Sequence, residues 1–251
     1  MKCLILCGGL GTRLRSAVAD RPKSLAPISG RPFLAWTLDA LRAQNQSDFV
    51  LSAGYLADQI AVFADEYRQM ASDPKLNIQV VTEPKPLGTG GAIRYAIQTA
   101  SLSSPFLAIN GDTFFNGSVQ KLVDFYQNCG GLAAIALTKV SDASRYGRVI
   151  FEPEAGAVKG FLEKKDAQPT PAWINAGFYL LNPTLFDIPN LPEVLSLEQD
   201  VFPKLSKKRQ LFACSFSEKL FLDIGTPEDF VRAEAFLPTF RKTLLTTIID
   251  L

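Results

Sequence analysis

The sequence contains no histidine. That absence removes Ser–His and Cys–His nucleophilic chemistry, histidine general acid–base catalysis and histidine-ligated metals. What remains is chemistry by carboxylates, lysine, arginine, hydroxyls, backbone amides or a metal held by oxygen. Cysteine is scarce. Cys3, Cys7, Cys129 and Cys214 form no C-x-x-C pair and match no zinc-site spacing, so buried free thiols in a reducing cytosol are expected. An excess of one charge sign is also lacking: 26 Lys and Arg face 25 Asp and Glu, a formal net charge of +1. Broad attraction to nucleic acid or to an anionic membrane is thereby excluded, and any anion site must be local. No apolar run approaches the roughly 18 residues of a membrane span. The opening "MKCLILCGG" runs into glycines rather than a cleavage site, which predicts a buried strand and not a signal peptide. There is no Pro/Ser-rich linker, low-complexity segment or repeat of roughly 20–50 residues. One continuous domain over residues 1–251 is the expectation.

What is present reads as α/β. Hydrophobic residues make up 47% of the chain, enough for a substantial core. "KCLILC" (2–7), "DFVLSAG" (48–54), "NIQVVTE" (77–83) and "PFLAIN" (105–110) predict mostly buried strands. Segments of helical length lie between them, at 33–45 with Leu34, Leu38 and Leu41 in helical spacing, at 56–71 and at 90–100. This alternation predicts a mostly parallel sheet with helices on both faces, and a ligand site beyond the carboxyl ends of its strands. After residue 130, "GLAAIALTKV", "GRVIFE", "AVKGFLEK" and "WINAGFYLL" are closely spaced strand candidates. They predict an added mixed or antiparallel section. A last helix is expected from Thr226 as N-cap, with Pro227 at the first helical position and Glu228 and Asp229 in the first turn. Tyr146, Trp173, Phe178 and Tyr179 read as core rather than as stacking groups.

"CGGLGTRLR" follows the first strand directly. Bare backbone there brings several N–H groups near one point and lets an anion approach. It is neither a P-loop, which needs G-x-x-x-x-G-K-[ST], nor a G-x-G-x-x-G fingerprint. Glycines alone would mark only a tight turn. Arg13 and Lys23 beside them point to a multiply charged anion such as a triphosphate, with Pro22 stiffening the segment that presents Lys23. Asp112 and Asp223 each follow an apolar run. Each reads either as a turn former or as half of a Mg²⁺ site, since Mg²⁺ takes one or two carboxylates plus phosphate oxygens and water.

"GGLGTRL" followed by Pro22-Lys23 resembles the signature of the sugar-1-phosphate nucleotidylyltransferases, the nucleotide-sugar pyrophosphorylases. The match continues through "EPKPLGTGGA" (83–92), "NGDTFF" (110–115), "RYGRVIF" (145–151), "FLEKK" (161–165), "NAGFYLL" (175–181) and "FLDIGTPEDF" (221–230). These motifs stand in the family's order and cover residues 3 to about 235. Within the family, "LCGGLGTRLR", "PLGTGGA" and the compact length are most similar to the guanylyltransferases of D-glycero-α-D-manno-heptose 1-phosphate. Mannose-1-phosphate guanylyltransferases are close relatives. Ser24 departs from the proline that often follows the lysine, which is expected to alter only the stiffness of the loop.

The resemblance implies a Rossmann-like, glycosyltransferase-A-like fold. It implies transfer of GMP from GTP to a sugar-1-phosphate with release of pyrophosphate, giving an activated nucleotide sugar for lipopolysaccharide, capsule or other surface glycan. It implies Mg²⁺ on Asp112 and Asp223, and Arg13, Lys23 and Asp112 as catalytic groups. Leu6, Gly8, Gly9, Gly11, Thr12, Gly88, Thr89 and Gly111 would join Arg13, Lys23 and Asp112 around the nucleotide. Gly147, Glu163, Lys164 and Asn175 would hold the sugar phosphate. Isolated, the "EKK" of residues 163–165 would be a solvated face. No hexapeptide repeat follows the matched region, so no appended β-helix is expected. The tail "FRKTLLTTIIDL" (240–251) would pack within the chain or between copies of a homo-oligomer. A regulatory subunit without catalysis would carry lesions at Arg13, Lys23 or Asp112, and all three are present. A dinucleotide oxidoreductase would need an acidic residue closing the second strand, which ends "SAGY".

Overall fold

A computed structural model describes residues 1–9, 20–162, 170–217 and 221–249 of the chain. In chain order the strands and helices are β1 (Lys2–Leu6), β2 (Pro27–Ile28), β3 (Arg31–Pro32), α1 (Phe33–Arg42), β4 (Asp48–Ala53), α2 (Ala57–Ala71), β5 (Asn77–Thr82), α3 (Gly88–Thr99), β6 (Phe106–Asn110), β7 (Thr113–Phe115), α4 (Val119–Cys129), β8 (Ala133–Val140), β9 (Arg148–Phe151), β10 (Val158–Leu162), β11 (Ala172–Leu181), α5 (Phe202–Lys207), β12 (Leu211–Phe216), β13 (Phe221–Asp223) and α6 (Pro227–Ile249). The main sheet runs β10-β9-β11-β6-β1-β4-β5, with β8 joining β11 to β12.

The parallel part is β6-β1-β4-β5. Cys3, Leu4 and Ile5 of the central strand β1 are fully buried, as expected of a strand covered on both faces. The chain leaves β1 for β4 and β5 on one side and later returns to β6 on the other. That reversal makes the carboxyl end of β1 the topological switch point. The second half joins antiparallel, β11 on β6 and on β8, and β10 on β9, while β12 runs parallel to β8. The expected mixed section is therefore continuous with the first sheet.

One apolar cluster packs α1, α2 and α4 on one face, and a second packs α3 and α5 on the other. A third lies where α6 meets Phe33, Trp36, Phe114 and Leu222. Phe178 and Tyr179 are core, as expected. Trp173 packs edge-on to Phe151, and Tyr146 edge-on to Phe221. Thr226 caps α6 by accepting from the Asp229 N–H at 3.4 Å. The side chains of the tail at 241–251 lie outside the described residues. No helix among the described residues is long and apolar enough to cross a membrane.

Cys3, Cys7 and Cys214 are buried free thiols and Cys129 is half-buried. Burial pushes the Cys3 and Cys7 thiols from 9.0 up to about 12. In the folded protein they stay protonated well above the pH at which the unfolded chain releases those protons. Stability from these two groups is therefore complete below about pH 9 and is lost progressively as pH rises from 9 toward 12. A thiol reagent at pH 8 should label Cys129 slowly, and all four cysteines only after denaturation. The melting temperature should fall above about pH 9, and rapid native labelling of Cys3 or Cys7 would contradict this packing.

Candidate active site

The segments that follow the four parallel strands share one edge of the sheet. Gly111-Asp112 follows β6, Cys7-Gly8-Gly9 follows β1, Gly54 follows β4 and Glu83 follows β5. A ligand lying along this edge crosses three strand spacings of about 4.8 Å each between Asp112 and Glu83. A cleft of about 410 Å³ opens there, within the usual range of roughly 300–1,000 Å³ for small-molecule sites. Its lining includes Leu6, Gly8, Gly9, Lys23, Gly88, Thr89, Gly111 and Asp112, all expected from the sequence, together with Ser24, Glu83, Asn110 and Gly225.

Close strand packing explains one glycine. The Gly111 N–H donates to the Leu6 carbonyl at 3.0 Å, and a Cβ at Gly111 would stand only 2.5 Å from that oxygen. A Cβ at Gly9, by contrast, would meet nothing within 4 Å among the described residues. The backbone there is open to a ligand.

At one end of the cleft β7 and β13 pair antiparallel, with Asp223 opposite Thr113. The Ile224 N–H donates to the Asp112 carbonyl at 3.1 Å. This two-stranded unit sets two carboxylates side by side that are far apart in the chain. Lys23 reaches both: its Nζ lies 2.7 Å from Asp112 Oδ2 and 3.6 Å from Asp223 Oδ1. The carboxylates are thus separated by no more than the sum of two short contacts. Lys23 opens a short 3₁₀ turn, Lys23–Leu25, entered through Pro22 at φ −57°. Two backbone bonds close the turn, Leu25 N–H to the Pro22 carbonyl at 2.9 Å and Ala26 N–H to the Lys23 carbonyl at 3.0 Å. Ser24 sits buried in that turn.

Behind Asp223, the "RYGRVIF" and "GTPEDF" motifs meet. Arg145 forms an ion pair with Asp229, a carboxylate only 1% exposed. The Thr226 hydroxyl donates to the same Asp229 carboxylate at 2.9 Å. These residues brace the turn that carries Asp223.

The other end of the cleft is formed by the start of α3. Gly88 has φ +74°, and a Cβ there would strike the Leu195 carbonyl at 2.5 Å. The Gly90 and Gly91 N–H groups donate to that carbonyl at 3.0 and 3.2 Å. Thr89 lines the cleft with its hydroxyl already engaged: it donates to Glu198 Oε2 at 2.9 Å and accepts from the Leu197 N–H at 2.8 Å. Glu83 stands across from them, half-buried. Its Oε2 accepts from the Leu87 N–H at 3.3 Å and its Oε1 from the Ser52 hydroxyl at 3.5 Å. Burial pushes its pKa up.

Of the expected sugar-phosphate residues, Gly147 and Asn175 do not line this cleft. Asn175 donates to the Tyr179 hydroxyl at 2.9 Å and accepts from the Gly177 N–H at 2.9 Å. Gly11, Thr12, Arg13, Glu163 and Lys164 lie outside the described residues. Glu83, Asn110 and Glu198 are additions. Glu83 and Asn110 head the "EPKPLGTGGA" and "NGDTFF" motifs, and that position was their only sequence signal. Among the described residues no cluster of three metal-ligating side chains exists. The Asp112 and Asp223 pair nevertheless suits Mg²⁺, which needs only one or two carboxylates when phosphate and water complete its shell. The cation already clasped between the two, the Lys23 ammonium, marks the position as one that holds positive charge.

The nucleotidyl transferase family model matches residues 2–239. Mannose-1-phosphate guanylyltransferase 1 of Arabidopsis thaliana is 33% identical over 247 residues, 96% of this chain and 66% of that protein. The chain spans 63–66% of the length of the curated relatives it matches. The crystal structure of HddC from Yersinia pseudotuberculosis complexed with GMP-PN superposes with a TM-score of 0.77 at 32% identity, covering 93% of this chain and 98% of that one. UTP-bound UGPase from Acinetobacter baumannii, at 19% identity and a TM-score of 0.74 over 98% of both chains, shares the fold.

Proposed function

The chain belongs to the nucleotidyl transferase family, and from that premise we propose that it transfers GMP from GTP to a manno-configured sugar-1-phosphate, releasing pyrophosphate. The observation that carries this reading is Lys23 held between Asp112 and Asp223 at the end of a glycine-edged cleft. A non-bridging oxygen of the sugar phosphate attacks the α-phosphorus of GTP. A new P–O bond forms, the bond to the β-phosphate bridging oxygen breaks, and its electron pair leaves with pyrophosphate. The attacking phosphate is already anionic, so no general base is required, which suits a chain without histidine. The work lies in aligning two anions that repel each other and in stabilising charge as it develops.

In this reading the Gly8 and Gly9 backbone lies along the phosphates. Lys23 supplies a point charge and Arg13 a planar fork. Asp112 and Asp223 would hold Mg²⁺, which when bound would neutralise phosphate charge. Glu163, Lys164, Asn175 and the Gly147 backbone take the sugar phosphate beyond the part of the site that the cleft encloses, Asn175 with the amide hydrogen and lone pair that its bonds to Tyr179 and Gly177 leave over. The base lies at the β5 end of the cleft against Glu83. An ionised carboxylate only accepts hydrogen bonds, and the guanine edge presents two donors, N1–H and the 2-amino group. This match supports guanine, as does the GMP-PN complex of the 32% identical HddC. The sugar is D-glycero-α-D-manno-heptose 1-phosphate on the motif resemblance. Mannose 1-phosphate is the second reading, favoured by the names of the curated relatives. The enzyme works in the cytoplasm, where its free thiols persist, and supplies surface glycan synthesis.

A pyrophosphate-release screen of GTP, ATP, CTP and UTP against a panel of sugar-1-phosphates tests this. GTP with a manno-configured sugar phosphate should give the highest kcat/KM. Preference for UTP or CTP would overturn the guanine assignment. No pyrophosphate from any pairing would leave a nucleotide-binding regulatory subunit.

A further inference from the structure

We propose that Lys23 is the resident counter-ion of the Asp112–Asp223 pair and keeps it closed to free divalent cation, so that metal enters only when a polyphosphate draws the ammonium away. The inference rests on the nucleotidyl-transfer reading for the identity of that polyphosphate. Its geometry stands without it.

The ammonium sits where a shared cation must sit, 2.7 Å from one carboxylate and 3.6 Å from the other. Its side chain is 12% exposed, against 43% for Asp112 and 28% for Asp223. The lysine is therefore the most enclosed member of the trio, and it lines the cleft together with Asp112. The backbones that carry the two carboxylates cannot part to make room, because β7–β13 pairing and the bond from Ile224 N–H to the Asp112 carbonyl fix their spacing. Lysine is the mobile partner: an ammonium on a four-carbon stem re-aims by side-chain rotation while its backbone turn stays closed.

The charge balance follows. With Lys23 in place the trio carries a net charge of −1. A divalent cation must then displace or sit beside an ammonium already satisfied by the same oxygens. When a polyphosphate lies along the glycine edge, Lys23 gains a second set of anionic oxygens. Its departure restores a −2 site facing those phosphates. Metal and polyphosphate then bind with positive coupling, each favouring the state the other needs. The purpose served is order: the enzyme takes up metal with its nucleotide and does not hold a metal in an empty cleft.

The test uses Mn²⁺ alone, with no nucleotide, followed by the loss of free-ion electron paramagnetic resonance signal. Lys23→Met keeps the length of the stem and removes the charge. It should bind Mn²⁺ at least about tenfold more tightly than the unaltered protein, a change of about 1.4 kcal/mol. Adding Asp112→Asn to Lys23→Met should abolish the gain, which places it at this pair rather than elsewhere. Circular dichroism verifies folding, and Lys23→Gln substitutes if Lys23→Met does not fold. Equal or weaker Mn²⁺ binding by the folded Lys23 variant would overturn the proposal, as would a gain that survives Asp112→Asn. Because nucleotide is absent, this outcome is independent of the pyrophosphate screen. The screen can fail while the counter-ion role stands, and the reverse.

Discussion

Asp112→Asn is expected to lower magnesium-dependent turnover by about a thousandfold while the melting temperature moves by no more than about 4 °C. The small thermal effect follows from geometry. Asp112 is 43% exposed on its side chain, Asn keeps its shape, and Lys23 retains Asp223 as a partner. Loss of a partly exposed ion pair costs up to about 1 kcal/mol, or about 2–4 °C in a chain of this size. The large catalytic effect follows from removing one of two anionic oxygen donors where a triphosphate's charge must be neutralised. Asp223→Asn should act in the same direction with a smaller factor. If both aspartates were only turn formers, asparagine would serve equally well. Full activity of Asp112→Asn at ordinary Mg²⁺ therefore removes its metal role, and a steady-state assay paired with thermal melting decides the matter.

Much of this site was legible before any coordinates because its parts sit at strand ends. An apolar run followed by Gly-Asp, or by Cys-Gly-Gly, marks the carboxyl edge of a parallel sheet, and Lys2–Leu6 and Phe106–Asn110 form such strands. The pairing of β7 with β13 was not legible. Three-residue strands carry no periodicity, and the bond from Ile224 N–H to the Asp112 carbonyl joins segments distant in sequence. Their place after apolar runs put Asp112 and Asp223 in one ion site only as one of two readings. The strand pair brings them together. Helix α4 carries a helical stripe, Val119, Leu122, Val123 and Tyr126, but it falls between the strand-end motifs on which the reading rested. Val119 and Leu122 are buried, and Val123, Phe125 and Tyr126 pack half-buried against the same core. Thr89 teaches a different lesson. A hydroxyl in a glycine-rich motif reads as a ligand group, yet here it ties α3 to Leu197 and Glu198. Only the partner segment, about a hundred residues later, reveals that role. Glu83 had no pattern of its own, because one carboxylate after a strand is indistinguishable from a turn former until its neighbours are known.

Glu83→Gln is expected to cut kcat/KM for GTP by about a hundredfold or more, with a matching loss in equilibrium affinity for GDP. Both donors of the guanine edge need acceptors. An ionised carboxylate offers two equivalent oxygens, whereas a carboxamide offers one oxygen and one NH₂. The variant therefore sets a donor against a donor on one side, and a buried, mismatched polar group costs on the order of 1–3 kcal/mol, more where a charge is involved. The unaltered protein should also prefer GTP to ITP, which lacks the 2-amino group, and Glu83→Gln should shrink that preference. A structural account makes Glu83 only the acceptor for the Leu87 N–H, with a long contact from the Ser52 hydroxyl. Glutamine still provides that oxygen, so on that account GDP binding and the GTP-to-ITP ratio would be unchanged, and such a result would remove Glu83 from base recognition. A pH titration gives a second, independent readout. Burial holds the Glu83 pKa above its ordinary value, so as pH falls it takes up a proton earlier than an exposed glutamate does. Protonation removes one acceptor just as the glutamine substitution does. GDP affinity of the unaltered protein should therefore decline on acidification while that of Glu83→Gln, lacking the titrating group, stays flatter over the same range.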